Sequence, residues 1–313
     1  MPSYECGYRY CSFKTSRAVK AITLPSFAKL NLYLKITGKR KDNYHDLITI
    51  FERVSLYDTI RVVLRDDPAI KIFSHCNDIP LDSTNLCFKA AKIIQDRYRV
   101  NKGVGINITK RIPVGAGLGG GSSNAAAVFL ALNKLWGLGL TQEELLELAA
   151  HIGCDVPFFI LDKPFALGQK RGDKVSSIPG LKNTRLWHLI LAPTLNIPTP
   201  QIYSDWDKLY QPKAELTKLK KDVKLILSSL KYGALPEAVR LFDNDLERVT
   251  LRSYPQLKSI RLELERLGLL GVLMSGSGPA FFTTMASKKE AMSYYQRLQL
   301  FRNQWRVFLV STC

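Results

Sequence analysis

Five glycines fall within the seven residues from Gly115 to Gly121, and Ser122, Ser123 and Asn124 follow directly. Glycine reaches backbone angles closed to other residues and has no side chain to block an approach, so successive N–H groups can turn toward one anion. A helix starting at about Ser122 or Ser123 would add the free N–H groups of its first turn and the positive end of its dipole. The two hydroxyls could reach a phosphate oxygen or a bound metal. The chemistry is that of a phosphate cradle, built from Pro113, Gly115, Ala116, Gly117, Leu118, Gly119, Gly120, Gly121, Ser122 and Ser123. The competing reading, a turn that only closes a strand–helix junction, needs far fewer glycines.

Two familiar anion motifs do not account for this loop. Gly115-x-Gly117-x-x-Gly120 satisfies the dinucleotide fingerprint in letters. That fold also needs a second strand ending in an acid about 20 residues on. Here the distance reaches Thr141-Gln142-Glu143-Glu144, which reads as the capping box of another helix. No Gly-Lys-Ser/Thr follows the glycines, which excludes a Walker A loop. Phosphate would be held by a third geometry.

Three other polar groups interrupt apolar surroundings. Lys29 and Asn31 intrude on the alternation of Leu24, Leu30, Leu32, Leu34 and Ile36. Residues i and i+2 of a strand share a face, so both side chains project the same way, either into water from an edge strand or into a site. Tyr44-His45 lies where a polar turn meets an apolar segment, and alone it reads equally as ordinary packing. Asp155 sits between the helix-ending Gly153 and the run Val156-Pro157-Phe158-Phe159. It is either a turn-capping residue or an acid at the floor of a cleft, able to take a proton.

The elements that must position these residues can be read in order. Ala21 to Ile36 reads as two short strands broken at Pro25-Ser26, and strands follow near 59–64 and 70–73. A helix over 85–97 precedes the alternating strand 103–110, which delivers the glycine loop. Helices follow at 125–136 and 141–152, and the first carries alanines that permit close approach to a sheet. Residues 193–200 read as a rigid proline-rich loop leading to Tyr203. Helices at about 215–230, 235–243 and 255–267 then lead to a second small-residue loop, Ser275-Gly276-Ser277-Gly278. Strands at 280–284 and 306–310 flank a helix over 288–298. The order suggests an open sandwich rather than a barrel, in two domains, 21–180 and 181–313.

Size and composition bound the function. The 313 residues suffice for two cores, and no apolar run reaches the length of a membrane span, so no membrane partner is expected. The six cysteines form no metal or disulfide pattern, which suits a reducing cytoplasm. Residues 1–20 read as a disordered extension; a plastid location would follow only if they are the remnant of a transit peptide. The net charge of +18 raises nucleic acid as a rival partner. Yet the cluster Lys218, Lys220, Lys221 and Lys224 lies on a helical pattern with Leu216, Leu219, Val223 and Leu227 facing inward, and it has no interleaved aromatics. No nucleic acid is expected, because a positive field suits a polyanionic small molecule equally well.

With these residues in hand, the chain resembles the GHMP kinases, the family of galactokinase, homoserine kinase and mevalonate kinase. Pro113 to Ala127 resembles their second motif, Ala28-Lys29-Leu30-Asn31 the first, and Met274-Ser275-Gly276-Ser277-Gly278 the third. The triple Gly119-Gly120-Gly121, Tyr44-His45, Asp155-Val156-Pro157-Phe158, Pro198-Thr199-Pro200 and Asn244-Asp245-Leu246-Glu247 are similar to the branch acting on a cytidine-diphosphate-linked erythritol in non-mevalonate isoprenoid biosynthesis. The resemblance runs from about Leu24 to the C-terminus.

It implies an α+β, two-domain GHMP kinase fold, with an N-terminal domain related to a ribosomal-protein fold, a C-terminal ferredoxin-like domain and the site between them. It implies ATP and Mg²⁺, and transfer of a phosphoryl group to the 2-hydroxyl of that small-molecule substrate. Asp155 would take the hydroxyl proton and Lys29 would stabilise charge. Tyr44 and Tyr203 would sandwich the cytosine ring, His45 would bond its polar edge, and Asn31 would hold the diphosphate or erythritol end. Gly115 to Ser123 would wrap the ATP phosphates, Asn85 would approach the nucleotide base, and Ser122 would reach the metal. Another alcohol, homoserine or a mevalonate-like one, is the alternative substrate. The chain departs from the pattern at Cys154, where the family has alanine, and in a longer turn over Gly168–Asp173.

Overall fold

A computed structural model of the chain describes residues 20–210, 216–301 and 304–313; all of the expected extension but Lys20 lies outside them. Two long strands, β1 (Ala21–Lys39) and β2 (His45–Leu64), form an antiparallel hairpin that runs the length of the first sheet. β1 is continuous, where the sequence suggested a break at Pro25. Among the described residues β2 is its only strand partner over this stretch, so a proline lacking an N–H fits on the free edge.

The register of the hairpin shifts between Phe27 and Ala28. Ile22 and Leu24 join the core beneath the helices, and Ser26 bonds to the glycine-loop helix. Ala28, Leu30 and Leu32 instead join the core facing the second sheet. Even-numbered positions thus change sides across the irregularity, which leaves the odd-numbered Lys29 and Asn31 on the helix side.

The first sheet is completed by β3 (Ile70–Ser74), β4 (Val104–Thr109), β5 (Phe165–Gln169) and β6 (Lys174–Ser177), in the order β3-β4-β2-β1, with β5 on β2 and β6 on β5. Four helices belong to this half: α1 (Leu86–Arg97), α2 (Gly120–Leu135), α3 (Gln142–Ile152) and α4 (Val156–Leu161). α2 buries Ala125, Ala126, Ala127, Val128, Phe129, Ala131 and Leu132, and its small residues bring its axis close to the hairpin. α3 opens with the expected capping box, Thr141 and Glu144 each accepting from the other's backbone N–H.

The second sheet begins with β7 (Trp187–Pro193). After it come α5 (Thr199–Leu209), α6 (Leu216–Lys231), α7 (Leu235–Leu241), the short β8 (Asp243–Asn244), α8 (Asp245–Ser253) and α9 (Pro255–Arg266). The chain closes with β9 (Leu273–Met274), β10 (Phe281–Met285), α10 (Lys288–Leu298) and β11 (Trp305–Ser311), giving an antiparallel order β11-β7-β10-β9. Alternation along β7 serves two cores: Ile190 and Ala192 face the first sheet, while Leu189 and Leu191 face α5, α8 and α9. On α6 the inward residues are Leu219, Val223, Ile226 and Leu230; Leu216, expected inside, is exposed, and the four lysines face water.

Besides their shared core, the halves are joined by strand pairing. β8 pairs in parallel with β1 at Tyr33 and Leu34, and Val54 bridges to Thr312. No helix among the described residues is long and apolar enough to cross a membrane.

Candidate active site

β4 ends at Thr109, and the chain passes through Pro113 into the glycine loop. Gly119, in the left-handed region at φ 69°, is the N-cap of α2. The helix therefore starts at Gly120, two residues earlier than the sequence suggested. Its first intrahelical bond runs from Ser123 N–H to the Gly119 carbonyl at 2.9 Å, so the amides of 120–122 precede the ladder. No acidic residue lies in that first turn. A 16-residue helix dipole thus opens on glycine amides in a setting made for anions.

The earlier start corrects one expectation. Ser123 lies outside the cleft lining, fully buried, with its hydroxyl 2.8 Å from that of Ser26. Asn124 also donates to Ser26 and to Asp58. Asp58 anchors the end of β4 by accepting from the N–H groups of Arg111 and Ile112 and by pairing with Lys110. The loop is fixed from below by this buried network.

From the other side it is held by the second small-residue loop. The Ser275 hydroxyl donates to the Gly117 carbonyl at 3.0 Å, and Ala280 N–H reaches the Ala116 carbonyl at 3.3 Å. Asn244 donates to the carbonyls of Met274 and Gly276, so β8 fixes that loop in turn.

One cleft of about 970 Å³ runs between the halves. It is lined by Pro113, Gly115, Ala116, Gly117, Leu118, Gly119, Gly120, Gly121 and Ser122, and also by Asn85, Lys29, Asn31, Asp155, Tyr44, His45 and Tyr203. Of the residues singled out from sequence, all but Ser123 meet there.

Lys29 and Asn31 are buried rather than water-facing, which removes the edge-strand reading. The Lys29 ammonium donates to the Asn31 side chain and stands 3.5 Å from the Asp155 carboxylate. Asn31 in turn donates to Thr49 at 2.8 Å, and the Lys29 amide bonds the Leu118 carbonyl at 3.0 Å, tying β1 directly to the glycine loop. Asp155 occupies the N-cap position of α4 but makes no side-chain capping bond there. Its carboxylate is free to face the cleft. Cys154 beside it has its thiol pushed up to about 11, chiefly by burial and then by the Asp155 charge.

Asn85 caps α1, accepting from Cys87 N–H at 2.8 Å and donating to the Pro80 carbonyl, so it meets the cleft with its polar atoms already engaged. Tyr44 is half exposed, with the Arg171 guanidinium 5.0 Å over its ring. That arginine comes from the longer β5–β6 turn. The Tyr203 ring stacks on His45 with centroids 4.9 Å apart and planes at 24°. Burial, and then the charge of Asp155, push the Tyr203 hydroxyl far up, so it stays protonated.

Lys110, Arg171 and Asp207 also line the cleft, and the sequence did not single them out as site residues. Asp207 could have been found, since it lies four residues from Tyr203, the spacing of neighbours on one helix face. Reading 193–200 as a loop hid the helix.

Comparison with known proteins agrees with this geometry. Residues 85–163 match the model of the GHMP kinases N terminal domain, and residues 221–300 that of the GHMP kinases C terminal domain. The 4-diphosphocytidyl-2-C-methyl-D-erythritol kinase of Alkaliphilus metalliredigens is 37% identical over 288 residues, covering 91% of this chain and 95% of that protein. The chain belongs to the GHMP kinase family. The enzyme of the same name from Alkaliphilus oremlandii is 38% identical over 291 residues, 91% of this chain and 95% of its own. The crystal structure of a 4-(cytidine 5'-diphospho)-2C-methyl-D-erythritol kinase superposes with a TM-score of 0.73 at 33% identity, covering 92% of this chain and 98% of that one. This GHMP kinase is an ATP-dependent enzyme acting on a small molecule, and its α+β fold is that of the family.

Proposed function

We propose that this kinase transfers the γ-phosphoryl group of ATP to the 2-hydroxyl of 4-diphosphocytidyl-2-C-methyl-D-erythritol. The observation that carries the reading is the Lys29–Asp155 pair, 3.5 Å apart, lining the same cleft as the N-terminus of α2. Phosphoryl transfer needs alignment and charge stabilisation more than covalent chemistry. The amides of Gly120, Gly121 and Ser122 grip the phosphates. Asp155 accepts the proton of the attacking hydroxyl, and Lys29, held by Asn31, offsets the charge that develops on the transferred group.

The protein offers few donors of its own to a metal. Among the described residues no cluster of three or more His, Cys, Asp or Glu could hold a metal, and the Ser122 hydroxyl makes no hydrogen bond. Mg²⁺ bound to nucleotide phosphates keeps several waters and needs few protein ligands, so Ser122 would suffice as its contact from the loop. When bound, the ion would neutralise charge on the β- and γ-phosphates.

Tyr44, His45 and Tyr203 support the cytidine part of the reading, as two aromatic rings and an imidazole in one cleft suit a flat base with a polar edge. Incubating the protein with ATP, Mg²⁺ and separate alcohols tests the whole. ADP should form with the cytidine-diphosphate-linked erythritol and not with homoserine or mevalonate. Turnover confined to either of those two would overturn the substrate.

A further inference from the structure

His45 is held by a group that the reaction itself does not require. Its Nε2 lies 2.6 Å from Oδ1 of Asp207, one helical turn beyond Tyr203 on α5. The other carboxylate oxygen, Oδ2, takes the Lys39 ammonium at 2.7 Å. The His45 side chain is 4% exposed, with Tyr203 stacked on its face and the Trp206 ring edge-on at 5.7 Å. Among the described residues no hydrogen bond reaches its Nδ1. Burial alone would push the Asp207 carboxyl up, but the hydrogen bonds from Lys39 and His45 outweigh it and hold the group below its ordinary range.

The chemistry of these contacts fixes a proton. An ionised carboxylate only accepts, so Nε2 must donate. In a neutral imidazole the other nitrogen, Nδ1, then carries a lone pair.

We infer that Asp207, oriented by Lys39, is a positioning residue that sets the tautomer of His45 and thereby selects an amino-bearing pyrimidine over an oxo-bearing one. A lone pair on Nδ1 accepts from the exocyclic amine of cytosine and is repelled by the carbonyl that uracil carries at the same place. This rests on the cytidine reading of the cleft and adds the source of its discrimination. Specificity of this kind is large because the wrong ligand leaves a buried polar atom unpaired.

Asp207→Asn provides the test. Lys39 can donate only to the amide oxygen, which turns the amide nitrogen toward Nε2 and forces the proton onto Nδ1. The ¹⁵N chemical shifts of the His45 ring, read without any ligand, should show Nε2 protonated in the parent protein and Nδ1 protonated in the variant. The ratio of kcat/KM for the cytidine-linked substrate over its uridine-linked analogue should fall about ten- to a hundredfold, with the KM for ATP unchanged. A parent ring protonated on Nδ1 overturns the inference without any variant, even if Asp207→Asn does not fold. A tautomer or ratio that survives the substitution overturns it while leaving the cytidine reading intact. A parent enzyme that does not distinguish the two pyrimidines overturns the cytidine reading itself, and base selection by Asp207 with it.

Discussion

The Ser275 hydroxyl donates to the Gly117 carbonyl across the junction of the two halves, so the phosphate loop is shaped by a residue 158 positions away. The contact exists because Gly117, at φ 75°, has no Cβ: one built there would lie 2.0 Å from the Ser275 carbonyl oxygen. Gly117→Ala should therefore open the seam and displace the amides that follow. A shift of about 1 Å in a phosphate grip costs on the order of a hundredfold. Steady-state kinetics should show kcat/KM for ATP falling by about that much. A variant with parental ATP kinetics would mean the loop does not hold the nucleotide.

Asp155→Asn keeps the size of the side chain and removes the proton acceptor. Because Asp155 makes no capping bond, α4 should be undisturbed, and nucleotide affinity measured by calorimetry should stay near the parent's. Turnover should drop about 10²- to 10⁴-fold, the range of a positioned base. Parental turnover would remove the assignment.

Tyr203→Ala strips the ring stacked on His45. Stacking of a base on an aromatic side chain is worth about 1–3 kcal/mol, so the KM for the cytidine substrate should rise roughly tenfold or more. The KM for ATP should not move. If both rise together, Tyr203 supports the cleft as a whole and not a base subsite.

These residues were legible in different degrees, for physical reasons. The glycine loop announced itself because few other folds concentrate backbone freedom so heavily before a helix. The Thr141 capping box and α10 were readable because their signals are local. The burial of Lys29 and Asn31 was not, since it depends on the Phe27–Ala28 irregularity and on a second sheet from distant sequence. Ser123 was misplaced because a helix begun at Gly120 rather than Ser122 is rotated by about 200° at each later position, given about 100° per residue. α5 was missed because Pro198-Thr199-Pro200 reads as loop, although proline is well tolerated in a first helical turn.

Beneath the glycine loop, Asp58 is fully buried and pairs with Lys110 while accepting from two backbone amides and Asn124. Asp58→Ala leaves Lys110 buried without its counter-charge and orphans those donors. Removing one member of such a pair costs about 3–5 kcal/mol. The urea midpoint should fall accordingly at unchanged m-value, with ATP binding weakened in the protein that remains folded. A midpoint within experimental error of the parent's would show that the network does not anchor the loop.

Cys154 offers a check on the environment beside Asp155 that needs no substitution. Its thiol is pushed up to about 11, by burial first and the neighbouring carboxylate second. The folded-state value is raised, so the stabilising effect is complete below the unfolded value of about 8.5 and is lost as the pH climbs toward 11. At pH 8 the thiolate, which is the reactive form, is therefore scarce. Alkylation by iodoacetamide at that pH, mapped by mass spectrometry, should leave Cys154 and the fully buried Cys87 largely unmodified while Cys76 reacts, and kinase activity should persist. Raising the pH through 9 and 10 should bring Cys154 labelling and activity loss together. Rapid labelling of Cys154 at pH 8 in the folded enzyme would mean that the floor of the cleft is wetter and less negative than the Asp155 carboxylate and its surroundings require.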